Sequence, residues 1–402
     1  MRIDLTDPGL FERNEFGEVF AWLRANEPVY WHEEPDGPGF WVLTRHVDVV
    51  HVYGDDDLFS SQRGMRLDSD PEAVDAVAGR MLIVTDPPDH TRLRQVVGRA
   101  FGRSAMPRIE AVVARVVRTV VADAVAQGEV DFLAVAKKIP NHVVCELMGL
   151  PREHWEWVGD TTTEAFDAPA DFDRVAAYGE LFLLFTELLM ERRENPGDDF
   201  ISMIAQARQK ERGGAEGREL TDEEVIVNCN GVLAGANETT RYAMAGAVLE
   251  LVRDPVHWHW LRTAGPSGIA SAVEEVLRWT CPGVHALRTV TRPTEIGGVP
   301  IGAGDRVTIW NCSANRDETV FFDPDRFRPD RGANKHVTFG AGRHFCVGAR
   351  VARLELATFL TELVAQVDRI ELTGEPRYNS SNFTWGLRTL PVRLVPGRGG
   401  PA

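Results

Sequence analysis

The most informative segment of the chain is Phe339-Gly340-Ala341-Gly342-Arg343-His344-Phe345-Cys346-Val347-Gly348. Its three glycines allow the backbone to fold tightly against a large flat group. Cys346 stands at the start of a helix predicted from about Val347 to Val367, where the helix dipole and the free N–H groups favour a thiolate over a thiol. Such a thiolate is either a nucleophile or a metal ligand, although a lone cysteine more often only packs in a core.

This segment resembles the haem-binding loop of the cytochrome P450 family, the haem-thiolate monooxygenases. The positions that match the family pattern are Phe339, Gly340, Gly342, His344, Cys346 and Gly348. The resemblance implies a haem b cofactor (iron protoporphyrin IX) with Cys346 as the axial iron ligand and with Phe339, Gly340, His344 and Gly348 around it. Backbone amides near the sulfur would tune the electron donation of the thiolate.

A second motif, Glu275-Val276-Leu277-Arg278, lies in a helix predicted over roughly Ser267–Trp279 and places opposite charges on one helix face. As an exposed pair it would contribute only a few tenths of a kcal/mol. The resemblance implies instead a buried pair locked to an arginine of the Pro-, Asp- and Arg-rich meander that follows. Arg326 is predicted to be that arginine, so that Glu275, Arg278 and Arg326 form a structural triad that braces the cysteine loop.

A long helix is predicted from the capping box Thr221–Glu224 to the stop at Asp254-Pro255. The segment Ala234-Gly235-Ala236-Asn237-Glu238-Thr239-Thr240 is expected to interrupt it, and it resembles the family's oxygen-activation segment. This implies that Gly235 and Ala236 leave room for O2, that the Thr239 hydroxyl donates to it and that Glu238 relays protons from water. Alternatively, Thr239 bonds to the carbonyl four residues earlier and bends the helix; both can be true.

The two propionates of a haem need cationic partners, because buried carboxylates are costly unless they are paired. The resemblance assigns this role to His90 and Arg94, which are four residues apart, to Arg288 and to His344. Taken one at a time, each of these residues is more simply interpreted as a surface charge.

The order of the predicted elements follows the family from about Pro28 to Val395. The resemblance implies a mainly α protein with a smaller β region, the cytochrome P450 fold. In that fold a triangular helical domain joins a small β-sheet domain, and the haem lies between the long central helix and the cysteine-loop helix. We expect one haem-thiolate monooxygenase domain over 1–402. Its β-rich parts are expected at about 28–55, 285–312 and 376–396, and its helical parts at about 85–284 and 346–368.

Composition limits the partners and the compartment. The 402 residues carry 44 Lys and Arg against 60 Asp and Glu, a net charge of −16, which disfavours nucleic acid as a partner. No apolar run is long enough to span a membrane, and the N-terminus does not resemble a signal peptide. The five scattered cysteines fit neither a disulfide framework nor a structural zinc site. We therefore expect a cytoplasmic protein without a membrane partner.

Electron supply is expected from separate proteins, a ferredoxin and its ferredoxin reductase, because no cysteine spacing typical of an iron–sulfur cluster occurs. The family places several arginines on the cysteine side of the haem, and these predict a local basic patch that steers the partner. They are Arg99, Arg103, Arg343, Arg350 and Arg353. The alternative interpretation is an ordinary solvated helix face.

The substrate is the least determined feature. By resemblance the distal pocket is lined by Met65, Met81, Val232, Ala234, Val284 and Phe383. These apolar side chains favour a lipophilic substrate, such as a natural-product intermediate of antibiotic biosynthesis that is hydroxylated or epoxidised with O2 and two electrons. Alternatives are an amino acyl or polyketide substrate tethered to a carrier protein, a non-catalytic haem-binding sensor, and a helical binding module without haem.

Overall fold

A computed structural model of the chain describes residues 3–35, 37–167, 171–208 and 218–397. Its α-helices are α1 (Pro8–Glu12), α2 (Phe16–Asn26), α3 (His46–Gly54), α4 (Pro71–Val77), α5 (Asp89–Arg99), α6 (Met106–Gln127), α7 (Phe132–Met148), α8 (Trp155–Asp167), α9 (Asp171–Glu194), α10 (Phe200–Ala205), α11 (Asp222–Arg253), α12 (Pro255–Thr263), α13 (Gly265–Thr280), α14 (Asn311–Ala314) and α15 (Ala349–Gln366). Its strands are β1 (Val29–His32), β2 (Phe40–Leu43), β3 (Phe59–Ser60), β4 (Glu129–Asp131), β5 (His285–Val290), β6 (Thr294–Ile296), β7 (Val299–Ile301), β8 (Arg306–Trp310), β9 (Val367–Leu372), β10 (Arg377–Tyr378), β11 (Leu387–Thr389) and β12 (Pro391–Pro396). Short 3-10 helices cover Leu82–Val84, Arg152–His154 and Gly342–His344.

The helices form because apolar residues recur at helical spacing and can be buried on one face. In α6 the valines between Val112 and Val121 follow this period, and all of them are buried. They pack with α7, α11, α13 and α15 in one large apolar cluster. A second cluster joins α5, α8, α9 and α10 to the N-terminal half of α11. The long helix α11 therefore lies between two cores.

Helix α11 begins at the predicted capping box. The backbone N–H of Glu224 donates to Thr221 Oγ1 (3.2 Å), and the backbone N–H of Thr221 donates to the Glu224 carboxylate (2.9 Å). The expected interruption at 234–240 is wrong, since the helix runs unbroken to Arg253. One glycine costs about 1 kcal/mol in a helix, which is too little to break a helix that is packed into two apolar cores.

Strands β3, β4 and β9 lie outside the predicted β-rich ranges, and the other strands of the described residues lie within them. A five-stranded sheet has the order β1-β2-β8-β5-β3, in which β2 and β8 are parallel. An antiparallel sheet of order β4-β12-β9 connects the end of α6 to the C-terminal strand. The hairpin of β6 and β7 turns at Gly297 and Gly298, whose φ angles of 59° and 84° are those that such a tight turn requires. Within the described ranges, no helix is both long enough and apolar enough to span a membrane.

Candidate active site

The cysteine loop is held by its own backbone and by helix α3. The Cys346 N–H donates to the Phe339 carbonyl (2.9 Å), which closes the loop before α15 begins. Gly340 and Gly342 both have positive φ angles, of 68° and 66°. A Cβ atom on Gly342 would lie 2.0 Å from the backbone oxygen of Tyr53 in α3. These two positions require glycine, so the local geometry explains this part of the motif.

Cys346 differs from the other cysteines of the described residues, because it is exposed and the other four are buried. Its sulfur is nevertheless enclosed by protein on its remaining sides, and this burial raises the pKa of the thiol. The backbone N–H groups of Gly348 and Ala349 and the charge of Arg94 act in the opposite direction. The protein alone therefore does not favour the thiolate as the helix N-terminus predicts; a bound metal ion would, because it deprotonates its thiol ligand.

The structure brings the predicted propionate partners together. The His90 and His344 rings are 4.2 Å apart. Burial lowers the pKa of His90 to about 4 and that of His344 to about 2, and the charges of Arg94 and Arg288 shift both values in the same direction. Burial also lowers the pKa of both arginines. Four basic groups thus share one partly desolvated site.

This basic cluster (His90, Arg94, Arg288 and His344) lacks partners for its charge. Within the described ranges, both ring nitrogens of His90 are buried without a hydrogen-bond partner, and the Arg288 guanidinium donates only to the Leu287 carbonyl (2.8 Å). No carboxylate in the same ranges forms an ion pair with any of the four residues. A ligand with two carboxylates beside Cys346 would satisfy the cluster, and haem is such a ligand.

Sequence reasoning missed the residues that support this cluster from the N-terminal part of the chain. Ser61 Oγ lies 3.2 Å from His344 Nε2, and the Tyr53 ring lies 5.8 Å below the Arg288 guanidinium. Asp56 forms an ion pair with Arg343 at 3.0 Å. These residues belong to no recognisable motif, and only the packing of α3 and β3 against the cysteine loop reveals them.

One face of α11 is open near its middle. Gly231, Val232, Gly235, Ala236 and Thr239 are partly or fully exposed, whereas the residues between them are buried. Their spacing of three to four residues places them on one helix face. Val232, Ala236 and Val347, the residue after Cys346, pack against the same apolar cluster. The open face and the cysteine loop therefore border the same part of the molecule.

Thr239 and Glu238 do not point the same way. The Thr239 hydroxyl donates to the Gly235 carbonyl (2.9 Å), which is the local bond that the alternative interpretation predicts. Glu238 is fully buried and forms an ion pair with Arg241, one helical turn later. Thr163 of α8 bridges the pair, because its hydroxyl donates to Glu238 Oε1 (3.2 Å) and accepts from Arg241 (2.9 Å). The i, i+3 spacing of Glu238 and Arg241 is a signal that the sequence interpretation did not use.

The structural triad needs one correction. Arg278 and Glu275 form two parallel hydrogen bonds of 2.8 Å, and both side chains are fully buried. The third member is Arg331, whose Nε donates to Glu275 Oε2 (2.8 Å). The prediction of Arg326 is wrong: its side chain is 76% exposed and only its carbonyl faces inward, where it accepts from Arg278 and Arg331. An irregular segment has no period that would tell which of its arginines points inward.

The triad reaches the cysteine loop through Asn315. Arg278 donates to the Asn315 carbonyl (2.8 Å), and the Asn315 side chain donates to Thr338 Oγ1 (2.8 Å) and accepts from the Val337 N–H (2.8 Å). Thr338 directly precedes Phe339. This chain of hydrogen bonds supports a bracing function for the triad.

The predicted pocket residues are only partly accessible. Met81, Met65 and Val232 are half-buried, and Ala234 and Phe383 are each 8% exposed. The prediction of Val284 is wrong, because this residue has no exposed surface and packs in the N-terminal apolar cluster with Phe11 and Trp310. Residues of α1 and α2 belong to the same cluster, and the sequence pattern did not reveal that packing.

The arginines on the cysteine side are of two kinds. Arg353 is paired with Glu274 at 2.6 Å, and Arg343 is paired with Asp56. Arg99, Arg103 and Arg350 are exposed and form no ion pair within the described residues. The expected basic patch is therefore reduced to three uncompensated charges.

Several known proteins resemble this chain in sequence or in structure. The family model described as Cytochrome P450 matches residues 269–387. The chain is 36% identical to cytochrome P450 NovI of Streptomyces niveus, over 98% of this chain and 97% of that protein. It is 36% identical to linalool 8-monooxygenase of Pseudomonas putida, over 98% of this chain and 99% of that protein. The crystal structure of P450 OxyD, involved in the biosynthesis of vancomycin-type antibiotics, matches with a TM-score of 0.88 and 34% identity, over 98% of this chain and 100% of that one.

Proposed function

The chain belongs to the cytochrome P450 family, and from this premise we propose that it hydroxylates or epoxidises a lipophilic natural-product intermediate in the cytoplasm, with electrons from a ferredoxin. Its P450 fold, its monooxygenase class and its haem-thiolate cofactor agree with the sequence predictions. The observation that carries the proposal is an exposed Cys346 beside a basic cluster without carboxylate partners, together with a face of α11 built from small and apolar residues that packs against the same apolar cluster as Val347.

The residues of the site fit haem. We propose that Cys346 would bind the haem iron through its sulfur and that the basic cluster would bind the two propionates. Phe339, Gly340 and Gly348 shape the loop around the sulfur. When bound, haem supplies the centre at which O2 is activated, and the protein supplies a fixed thiolate, cationic partners and a face that admits a small ligand.

We assign proton delivery to Thr239, which lies on the open face of α11, and to the buried Glu238 beside it in the sequence. The Thr239 hydroxyl borders the open face and already lies in a hydrogen bond, so it must rotate away from the Gly235 carbonyl to donate elsewhere. Glu238 must leave Arg241 and Thr163 to exchange a proton with water. Both groups are thus held in a resting arrangement, and a positioned donor that can be refilled is what oxygen activation requires.

The substrate class rests on the character of the open face. Val232 and Ala236 of α11 and Met81, which lies beside Gly231, are apolar, and this favours a lipophilic molecule. Two relatives support this assignment, one named for linalool and one involved in the biosynthesis of vancomycin-type antibiotics. A titration of a free acid against the same acid loaded on a carrier protein distinguishes a free substrate from a tethered one.

For the electron donor, we assign docking to the cysteine side, where Arg99, Arg103 and Arg350 carry uncompensated charge. A positive patch on a chain of net charge −16 would steer an acidic ferredoxin to this face alone.

The decisive experiment is the spectrum of the reduced protein with carbon monoxide, followed by a screen of lipophilic compounds for a spin-state shift and for oxygenated product. We expect the thiolate signature in the wild type and its loss in Cys346→Ala. An unchanged spectrum in that variant would overturn the ligand assignment. A wild type with the signature but without a product from any lipophilic candidate would overturn the substrate class.

A further inference from the structure

Asn228 occupies an unusual position on α11. It lies seven residues, or two helical turns, before Gly235 and therefore on the same face as the open stripe. Unlike Gly235, it is only 3% exposed. The segment Arg80–Leu82, which follows α4 and ends at the first residue of the 3-10 helix Leu82–Val84, covers it.

All three hydrogen bonds of the Asn228 amide are made to backbone groups. Its Nδ2 donates to the Arg80 carbonyl (2.8 Å) and to the Glu224 carbonyl of its own helix (2.7 Å). Its Oδ1 accepts from the Leu82 N–H (2.9 Å). Asn228 thus bonds to the backbone on both sides of Met81. These bonds do not depend on which side chains the segment carries.

Met81 is thereby placed against the open face. Its methyl group fills the space beside Gly231, where a Cβ atom would lie 2.7 Å from Met81 Cε. Gly231 is four residues before Gly235, a distance of about 6 Å along the helix. Met81 therefore lies about one helical turn from Gly235, in the middle of the open face of α11.

Other attachments of this segment to α11 are weak. Arg80 forms an ion pair with Glu223 at 3.0 Å, but both side chains are about half-exposed, and exposed pairs of this kind contribute little. Leu82 packs against the apolar cluster beside α11. Within the segment, the Met81 backbone bonds to Val77 and Thr85, and the hydrogen bonds of Asn228 are the buried directional contacts that join the segment to α11.

We propose that Asn228 is a positioning residue for substrate selection: it clamps the segment Arg80–Leu82 onto α11, holds Met81 over the distal face and so limits the size of the molecules that enter. The inference rests on the proposed function, since it gives the determinant of size selection at that same site. Asn228 acts through Met81 and touches neither substrate nor cofactor.

Two azoles of different size test the clamp in the haem-loaded enzyme. Imidazole and 4-phenylimidazole both bind haem iron and shift its main absorption band, so stopped-flow absorbance gives their association rates. Asn228→Ala removes two hydrogen bonds to the covering segment, and we expect the rate for 4-phenylimidazole to rise about tenfold while that for imidazole stays within about twofold. An equal change for both azoles, or no change, would overturn the proposal.

Asn230→Ala is the matched control, because Asn230 lies on the same helix two residues later and its buried Oδ1 has no partner within the described residues. We expect both rates to stay within about twofold of the wild type in this variant. The same selective rise in Asn230→Ala would show that the effect is not specific to the clamp.

A double-mutant cycle tests whether the effect passes through Met81. In a Met81→Ala background, Asn228→Ala should change the ratio of the two rates by less than about twofold, because no side chain remains to be positioned. A full effect in that background would overturn the assignment to Met81. Should Asn228→Ala fail to take up haem, Gly231→Ala replaces it: its Cβ displaces the Met81 methyl, and the ratio should rise only while Met81 is present.

Failure of this proposal differs from failure of the proposed function. A wild type that binds both azoles but oxidises no lipophilic compound overturns the substrate class and leaves the clamp to be judged by the azole rates.

Discussion

Two clusters of charged residues in this protein differ in whether their charges have partners of opposite sign. At Glu275 every charged group has a partner of opposite charge: Arg278 and Arg331 both bind the one carboxylate, and the Arg328 N–H donates a further bond of 2.8 Å. In the basic cluster around His90, four basic groups share a site without a carboxylate that pairs with them in the described ranges. The paired network at Glu275 stabilises the fold, whereas the basic cluster retains positive charge with which it can bind an anionic ligand. The difference predicts which substitutions damage the protein itself and which damage only its cofactor binding.

A substitution in the paired network at Glu275 should give the largest effect. Glu275→Gln leaves two buried guanidinium groups without their counter-charge, and we expect a loss of about 3–5 kcal/mol in the free energy of unfolding. Denaturant titration of the protein without haem measures it. Arg326→Ala is the control and should change the stability by less than about 0.5 kcal/mol, because its side chain is exposed. Equal losses in both variants would contradict the assignment of Arg331.

A substitution in the basic cluster should have the opposite effect on stability. Arg288→Leu removes a buried, uncompensated cation, so the protein without haem should be as stable as the wild type or more stable. Haem should dissociate roughly 10 to 100 times faster, since a charged hydrogen bond is lost. Transfer of haem to a scavenging protein measures the rate. Loss of stability with unchanged haem retention would show that Arg288 belongs to the fold and not to the cofactor site.

Thr239 has features of both clusters, because it borders the open face but is already satisfied by the Gly235 carbonyl. If its role is proton delivery, Thr239→Ala keeps haem and stability but lowers the yield of product per electron several-fold, with hydrogen peroxide as the alternative product. Product and peroxide are measured against electrons consumed. A normal yield with lowered stability would assign Thr239 to the fold.

Substitution of the surface arginines should have the smallest effect, and it should appear in the rate of reduction by ferredoxin. Arg103 and Arg353 form a matched pair for this test. Arg103 has no ion-pair partner in the described ranges, whereas Arg353 is paired with Glu274. Arg103→Gln should slow reduction by ferredoxin about twofold to fivefold at low salt, and the difference should vanish at high salt. Arg353→Gln should have the weaker effect on this rate. The same slowing at every salt concentration would argue against electrostatic steering.

The motifs that sequence reasoning identified correctly have geometry fixed by neighbouring residues. The cysteine loop needs glycine at Gly340 and Gly342 for its own turn, and Glu275 meets Arg278 because they are one helical turn apart. Glu275 and Arg331 are 56 positions apart, and Arg331 lies in an irregular segment after α14 that has no period. Sequence could therefore predict that a third arginine exists but not which one.

The distal side was less predictable for a related reason. Val284 is apolar, as a pocket residue would be, but it is packed in one apolar cluster with residues of α1 and α2. Asn228 is an ordinary polar residue of a helix until the distant segment Arg80–Leu82 is placed upon it. Such roles depend on contacts between parts of the chain that are about 150 to 280 residues apart, and no local pattern records them.

The close approach of Gly342 to the Tyr53 carbonyl also bears on how the protein is made. The two residues are 289 positions apart in the sequence. During synthesis, α3 with Tyr53 leaves the ribosome long before the cysteine loop with Gly342. This contact can therefore form only when translation is nearly complete. Uptake of haem is consequently expected to be one of the last events of biogenesis, after the helical part has had time to fold on its more local contacts.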